Sequence, residues 1–283
     1  MTNGNGTFDG EFGSSDDVRT GFIAGNKFSV RRVRYAAVGG LAVFEGDIVL
    51  GTVDELETTA RAVEGPVADP APSEAFLAIA SAEPDADGVF TEGIARTGNQ
   101  FRWPGATIPY TIDAGLPDPQ RVRDAIDHWT SNTPISFVEI TSTNAATYPD
   151  FVSFEDRGGC WSRVGMRGGK QVISLGVGCS TGNAIHEIGH TVGLWHEQSR
   201  EDRDGFVTIV WQNIKAGKEH NFDQHIQDGD DLGVYDYGSI MHYPATAFST
   251  TGQPTIIPAA GQNIGQRNGL SQGDISAVGD IYP

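Results

Sequence analysis

The sequence predicts a mixed α/β protein preceded by a smaller segment of strands and tight turns. Three stretches carry that reading. Residues 28–52, FSVRRVRYAAVGGLAVFEGDIVLGT, hold short apolar or alternating runs broken by Gly-Gly and Gly-Asp, the pattern of strands joined by turns. From Trp103 onward strand-like and helix-like runs alternate, with no internal repeat. Residues 183–194, NAIHEIGHTVGL, form an apolar, unbroken run that reads as a buried helix ending near Gly193.

The first 17 residues are rich in Gly, Asn, Ser and Asp with almost nothing to bury, so they predict a flexible tail, with order beginning near Val18. Residues 53–60 suit a short helix. Between about 64 and 100 the chain turns to Pro, Ala, Asp and Gly, which predicts an exposed linker and a domain boundary. The expected division is therefore a tail over 1–17, an N-terminal segment over 18–96 and the main domain over 97–283. In that domain WPGATIPYTID predicts a strand, PDPQRVRDAIDHWTSNT a helix with Pro119 in its first turn, and ISFVEI and DFVSFED two more strands. A Gly-rich stretch from Gly158 to Gly182 holds a further candidate strand, KQVISLG.

Acidic residues outnumber basic ones by 37 to 19, and the formal charge of -18 argues against nucleic acid and anionic membrane surfaces as partners. No run approaches the roughly 18 apolar residues of a membrane span, and the N-terminus lacks the basic start and apolar core of a signal peptide. The two cysteines, Cys160 and Cys179, read from spacing alone as either one disulfide or two buried thiols.

The chemistry lies in His186-Glu187-Ile188-Gly189-His190. Histidines four apart on a helix share one face and can grip one ion, with the glutamate between them close by. The text continues to Gly193 and His196, completing HExxHxxGxxH. The glycine can adopt a left-handed conformation and turn the chain back, so that His196 supplies a third ligand. Three neutral imidazoles leave one position open for water on a zinc ion, the coordination of a catalytic site. Glu187 can accept the proton of that water and pass it to a leaving amine, as peptide hydrolysis requires.

The stretch HEIGHTVGLWHEQSREDRD resembles the zinc signature of the astacin family, within the metzincin clan, and Ser239-Ile240-Met241-His242-Tyr243 resembles its Met-turn. WPGATIPYTI, GCWSRVG, GKEHNF and GLSQGDISAVGDIYP extend the similarity from about residue 95 to the end. The resemblance implies a twisted, mostly parallel sheet and a zinc helix above a cleft, with an irregular lower subdomain ending in a C-terminal helix. It also implies one catalytic zinc on His186, His190 and His196, with Glu187 as base and Tyr243 as oxyanion donor. Met241 would form an apolar floor, and Glu197 would contact the N-terminus of the mature enzyme. An edge strand around Cys160, comprising Trp161, Ser162, Arg163 and Val164, would pair with extended protein or peptide substrates. Secretion is expected for this class, and it favours a Cys160–Cys179 disulfide.

The family's propeptides carry an FxGD motif whose aspartate ligates zinc, and Phe44-Glu45-Gly46-Asp47 matches it. The resemblance therefore implies a zymogen held inactive by its own propeptide through Asp47 and opened by an activating protease. The cut is expected in an exposed stretch before Phe101, with the mature N-terminus between Ile94 and Thr97 and Arg96 as a trypsin-like site.

Two departures stand out. Astacins typically carry four cysteines, so the bridge between the sheet and the C-terminal half is missing here. Pro244-Ala245-Thr246 lacks the basic residues that in some relatives select acidic side chains. Isolated His128, His220 and His225 are given no role, His242 reads as a buried hydrogen-bonding residue, and the acidic run 228–231 lacks the ligand pattern of a calcium loop. The competing readings are a zinc-dependent binding or inhibitory protein and a structural zinc module. Retention of Glu187 and Tyr243 argues against the first, and the open fourth position against the second.

Overall fold

The computed structural model describes residues 6–9, 11–23, 31–64, 93–226 and 228–283. The main sheet has five strands in the order β11-β12-β10-β8-β9: β8 Thr107–Ile112, β9 Ser136–Glu139, β10 Phe151–Glu155, β11 Cys160–Trp161 and β12 Lys170–Leu175. Four run parallel, and β11 closes one edge antiparallel to β12. The class is thus mixed α/β, as the strand-like and helix-like runs predict, with the mostly parallel sheet that the resemblance implies.

Two helices pack beside this sheet. The first, α2 (Gln120–Asn132), follows Pro119 and buries Val122, Ala125, Ile126 and Trp129, a stripe at helical spacing, while Arg123, Asp124 and Asp127 face solvent. The Trp129 indole N–H donates to the Ile185 carbonyl at 3.0 Å, which fastens α2 to the second helix, α3 (Thr181–Val192). Its first turn is closed by a reciprocal capping box between Ser180 and Asn183, and nearly every residue it carries is buried. It stops at Gly193, whose φ of 123° suits only glycine.

Beyond Gly193 the chain is mostly irregular. Short turns surround a two-stranded ribbon of β13 (Val207–Ile209) and β15 (Ile256–Pro258), and the chain ends in α4 (Gln272–Ile281), capped by Ser271 and Asp274. The Tyr282 hydroxyl donates to the Val192 carbonyl at 2.8 Å and ties this end to α3.

The N-terminal segment is an antiparallel sheet of β3 (Val18–Ile23), β4 (Arg31–Val38), β5 (Leu41–Phe44) and β6 (Ile48–Thr52), covered by α1 (Val53–Glu64), which runs four residues beyond the expected helix. Its core residues Val33, Tyr35, Phe44, Ile48 and Leu50 form one apolar cluster with Ile94, Val164 and Trp195 of the downstream chain. The segment therefore shares a core with the domain it precedes.

Two expectations are corrected. The tail over 1–17 is structured where it is described: β1 (Thr7–Asp9) and β2 (Phe12–Ser14) form a hairpin. Phe8 stacks beside Trp161 with centroids 6.4 Å apart, and Phe12 meets Tyr243 and Phe248 at 5.1 and 5.0 Å. Glu11 pairs with Arg267. Polar composition hides two aromatic anchors that pack against the downstream chain. The expected linker is corrected at its end: residues 65–92 lie outside the described residues, but β7 (Gly93–Arg96) is a buried strand paired with β14 (Gly229–Leu232). Arg96 is 7% exposed, donates to the Val164 carbonyl at 2.8 Å and lies over the Phe101 ring, so it is no exposed cleavage site.

Cys160 and Cys179 form a disulfide that joins β11 to the approach to α3 across a sequence separation of 19. Closing a loop of that size stabilises by about 3 kcal/mol. The Cys160→Ser/Cys179→Ser double variant should therefore melt roughly 5–10 °C lower. Thermal denaturation with and without reductant checks this, and an unchanged midpoint would place the sheet edge outside the cooperative core.

Candidate active site

His186 and His190 project from one face of α3 one turn apart, with ring centroids 4.7 Å from each other. After Gly193 the chain turns back, and His196 brings its ring to 5.4 and 4.7 Å from theirs. All three are fully buried. Each has its Nδ1 committed: His186 to the Ile240 carbonyl at 2.8 Å, His190 to the Leu194 carbonyl at 2.9 Å and His196 to the Glu45 carboxylate at 2.8 Å. Those bonds fix the ring orientations and aim all three Nε2 atoms at one point.

The Asp47 carboxylate reaches the same point from the N-terminal segment. Its oxygens lie 3.3 Å from His186 Nε2, 3.6 Å from His190 Nε2 and 3.2 Å from His196 Nε2. Four donors at about 2.05 Å from a tetrahedral zinc would stand roughly 3.3–3.4 Å apart. Burial holds His186 well below the usual imidazole range and lowers His190 as well, so their Nε2 atoms are lone pairs facing a carboxylate. Lone pairs gathered around one point repel unless a cation joins them, and the residues fit a zinc ion. Among the described residues these four form a cluster with all ligand atoms within 4.8 Å of one another.

Glu187, between the first two histidines, is fully buried, and neither carboxylate oxygen has a hydrogen-bond partner among the described residues. Burial, then the nearby Asp47 charge, pushes its carboxyl well above the usual range. The Tyr243 ring lies 4.5 Å from that of His196, and its hydroxyl donates to the Glu45 carbonyl at 2.5 Å. Met241 is buried under α3: a Cβ on Gly189 would stand 2.5 Å from its sulfur. Asp274 accepts from Ser239 Oγ at 2.6 Å and from the Ile240 amide at 2.9 Å, which holds the turn carrying Met241. Arg267 braces the same turn through the Ile240 carbonyl at 2.8 Å.

Asp47 is placed by a turn between β5 and β6 in which Glu45 and Gly46 both take positive φ, 46° and 80°. The segment then lies along the sheet edge. Ser162 N–H donates to the Asp47 carbonyl at 3.0 Å and Val49 N–H to the Ser162 carbonyl at 2.8 Å, with Ile48 and Ser162 bridged in parallel. Of the expected edge residues, Trp161 and Ser162 border this segment, Val164 joins the shared core and Arg163 is half-buried. Glu197 is buried, accepts the Asp236 amide at 2.8 Å and lies 3.7 Å from Arg200. His242 is bonded to Tyr235 and to the Tyr243 carbonyl.

Sequence reading misses Glu45, Ser199, His225 and Arg267. Glu45 Oε1 accepts from Ser199 Oγ at 2.7 Å and from His225 Nε2 at 2.9 Å. Motif position offers a signal for the first two, which lie inside FEGD and HEQS, whereas nothing local marks His225 or Arg267.

Three histidines from a helix and its return, a glutamate between them and a methionine turn beneath are the arrangement that marks zinc peptidases of the metzincin type. The model of the peptidase family described as Astacin matches residues 95–283, and the chain belongs to that family. It is 44% identical over 188 residues to zinc metalloproteinase nas-13 of Caenorhabditis elegans, covering 64% of this chain and 41% of that protein. It is 41% identical over 191 residues to blastula protease 10 of Paracentrotus lividus, covering 64% of this chain and 32% of that protein. The chain thus matches well under two thirds of the length of these relatives. Among solved structures it resembles high choriolytic enzyme 1, a hatching enzyme zinc-protease from Oryzias latipes, with 35% identity, a TM-score of 0.57 and coverage of 64% of this chain and 92% of that one. Myroilysin, at 20% identity and a TM-score of 0.50, shares the fold, with 68% of this chain and 98% of that one covered.

Gly189→Ala would press a methyl group onto the Met241 sulfur, an overpacking that costs about 1–3 kcal/mol. The variant should lose zinc at a lower chelator concentration than the parent, as read by metal content after dialysis. Unaltered retention would separate Met241 from the support of the metal ligands.

Proposed function

We propose that this chain is the latent precursor of a secreted zinc endopeptidase, with a prosegment over 18–96 and a catalytic domain over 97–283. The observation that carries the reading is Asp47, whose carboxylate stands at the fourth corner beside three histidine Nε2 atoms. His186, His190 and His196 would hold the zinc. When bound, that ion supplies Lewis-acid polarisation of a peptide carbonyl and acidifies a coordinated water. Glu187, with no hydrogen-bond partner among the described residues, takes the proton of the attacking water and delivers it to the leaving amine. Burial pushes the Tyr243 hydroxyl well up, so it keeps its proton and donates to the developing oxyanion; the Glu45 carbonyl occupies that donor in the latent chain.

An extended substrate would take the place of residues 47–49 along Ser162, held by main-chain hydrogen bonds that make little demand on sequence. Latency rests on the carboxylate, on the shared apolar core and on the hairpin that sets Phe12 against Tyr243. Because Gly93–Arg96 is buried, the first activating cut by another protease is expected upstream of Gly93. Among the described residues no helix is long and apolar enough to cross a membrane.

Casein hydrolysis tests the reading on the intact chain, the chain nicked within 65–92 and an uncut Asp47→Ala variant, each with and without chelator. Activity should be low in the intact chain, rise on nicking or on Asp47→Ala, and vanish with chelator. Glu187→Gln in the nicked form should lose roughly 10²–10⁴-fold in kcat. A folded, zinc-loaded, nicked chain that stays inert would favour a binding protein. Activity that rises on nicking but not with Asp47→Ala would move the latch elsewhere.

A further inference from the structure

Zinc ligation explains Asp47 but not its neighbour Glu45. The Glu45 side chain is fully buried, and its carboxylate meets three donors: Ser199 Oγ at 2.7 Å, His225 Nε2 at 2.9 Å and His196 Nδ1 at 2.8 Å. All three belong to the downstream domain, so they stay when the prosegment leaves. We infer that this pocket is a recognition site for an acidic side chain of the peptide that enters the cleft, and that Glu45 occupies it in the latent chain.

The donors are held in place by contacts outside the prosegment. Ser199 lies in the short turn Glu197–Ser199, and its carbonyl accepts the His225 amide at 2.7 Å, which couples two of the donors. The His225 ring stacks on Trp195 at 4.1 Å with 17° between planes. Its Nδ1 lies 2.9 Å from Asp228 and its Nε2 2.9 Å from Glu45, and because carboxylates only accept, the ring between them donates from both nitrogens. His196 has Nε2 toward the metal position and Nδ1–H toward Glu45.

Charge points the same way. Burial opposes a charge on His225, yet Asp228 and Glu45 together raise it to about 9, and it carries a proton at neutral pH. Departure of the prosegment takes away Glu45 and also Arg31, which pairs with Asp228. What remains in the downstream chain is the His225 ring held by Asp228 and stacked on Trp195, beside the Ser199 hydroxyl, and an incoming carboxylate restores the second charge that Glu45 supplies here. A neutral amide can accept from these groups, but a carboxylate forms charge-assisted bonds of about twice the strength. The Tyr243 hydroxyl bonds the carbonyl of the same residue, Glu45, which puts the acidic residue within two positions of the cleaved bond.

This inference rests on the peptidase reading of the cleft, and its test has an arm that does not. In the first arm, the folded full chain is nicked within 65–92 and given quenched fluorescent peptides that differ only in Glu, Asp, Gln or Leu at positions flanking the cleaved bond. At one position Glu or Asp should exceed Gln by roughly tenfold in kcat/KM, chiefly through KM. Ser199→Ala and His225→Gln should each bring that ratio toward one, and a ratio taken within one variant is insensitive to partial loss of fold. A ratio near one in the parent enzyme overturns the inference while leaving the peptidase standing.

In the second arm, fluorescence anisotropy measures binding of the peptide Leu41–Thr52 carrying Asp47→Ala to the nicked chain freed of its prosegment. Its Glu45→Gln form should bind roughly tenfold more weakly. Equal affinity overturns the acidic pocket even if no peptide is cleaved, whereas a clear difference with no cleavage keeps the pocket and overturns the peptidase.

Discussion

Three imidazole Nε2 atoms and a carboxylate directed at one buried point are the constraint on which the rest of the structure depends. The spacing of these four groups suits a tetrahedral zinc ion. The surrounding architecture can be understood as the means of holding it. The capping box at Ser180 sets the start of α3, the positive φ at Gly193 returns His196, and the carbonyls of Ile240 and Leu194 fix two tautomers. Asp274 links the C-terminal helix to the turn that presents the Ile240 carbonyl, so the last helix of the chain acts on the first metal ligand. These supports lie at helix ends and in the turns beside them, and they act on groups whose position must be held closely.

In the proposed precursor the same point serves latency. An Asp carboxylate is a modest competitor for a metal site in solution, but here it is delivered by a sheet whose core is continuous with the catalytic half. Tethering makes the competition intramolecular, at an effective concentration in the millimolar range for a flexible tether and higher for a rigid one. Cutting the chain between α1 and β7 removes the tether and leaves the packed contacts. In that proposal release would depend on how strongly Phe44, Ile48 and Leu50 hold against Val164 and Trp195, and on the Phe12 contact with Tyr243.

The parts of the site legible in the sequence are those that lie on one periodic element or in a local motif. His186 and His190 share a helical face, Gly193 ends that helix, and the strands of the main sheet show as apolar runs bounded by turns. The parts that are not legible depend on long-range contacts. His225 gains its importance from Glu45, 180 positions away, and from stacking on Trp195. The hairpin at the N-terminus is masked by glycine and polar residues, because two phenylalanines suffice to anchor it when a partner surface exists. The strand β7 is only four residues long and follows a Pro- and Ala-rich stretch, so its pairing with β14 gives no periodic signal.

Gly46 shows why a peptide lying in this cleft would escape cleavage. Its φ of 80° carries the backbone between Phe12 and Phe248, where a Cβ would stand 2.7 Å from each ring. That path presents the Glu45 carbonyl to Tyr243, the donor proposed for the transition state, so the oxyanion donor is engaged with a ground-state carbonyl. The next side chain, Asp47, fills the corner that a nucleophilic water would need. The segment also runs parallel to the sheet edge where it pairs with Ser162. Glycine, the preceding glutamate and the following aspartate thus act as one unit. The glycine bends the chain, the glutamate grips the far side of His196, and in the proposed latent form the aspartate would exclude the nucleophile, so that the segment would lie across the site without presenting any of its bonds for attack.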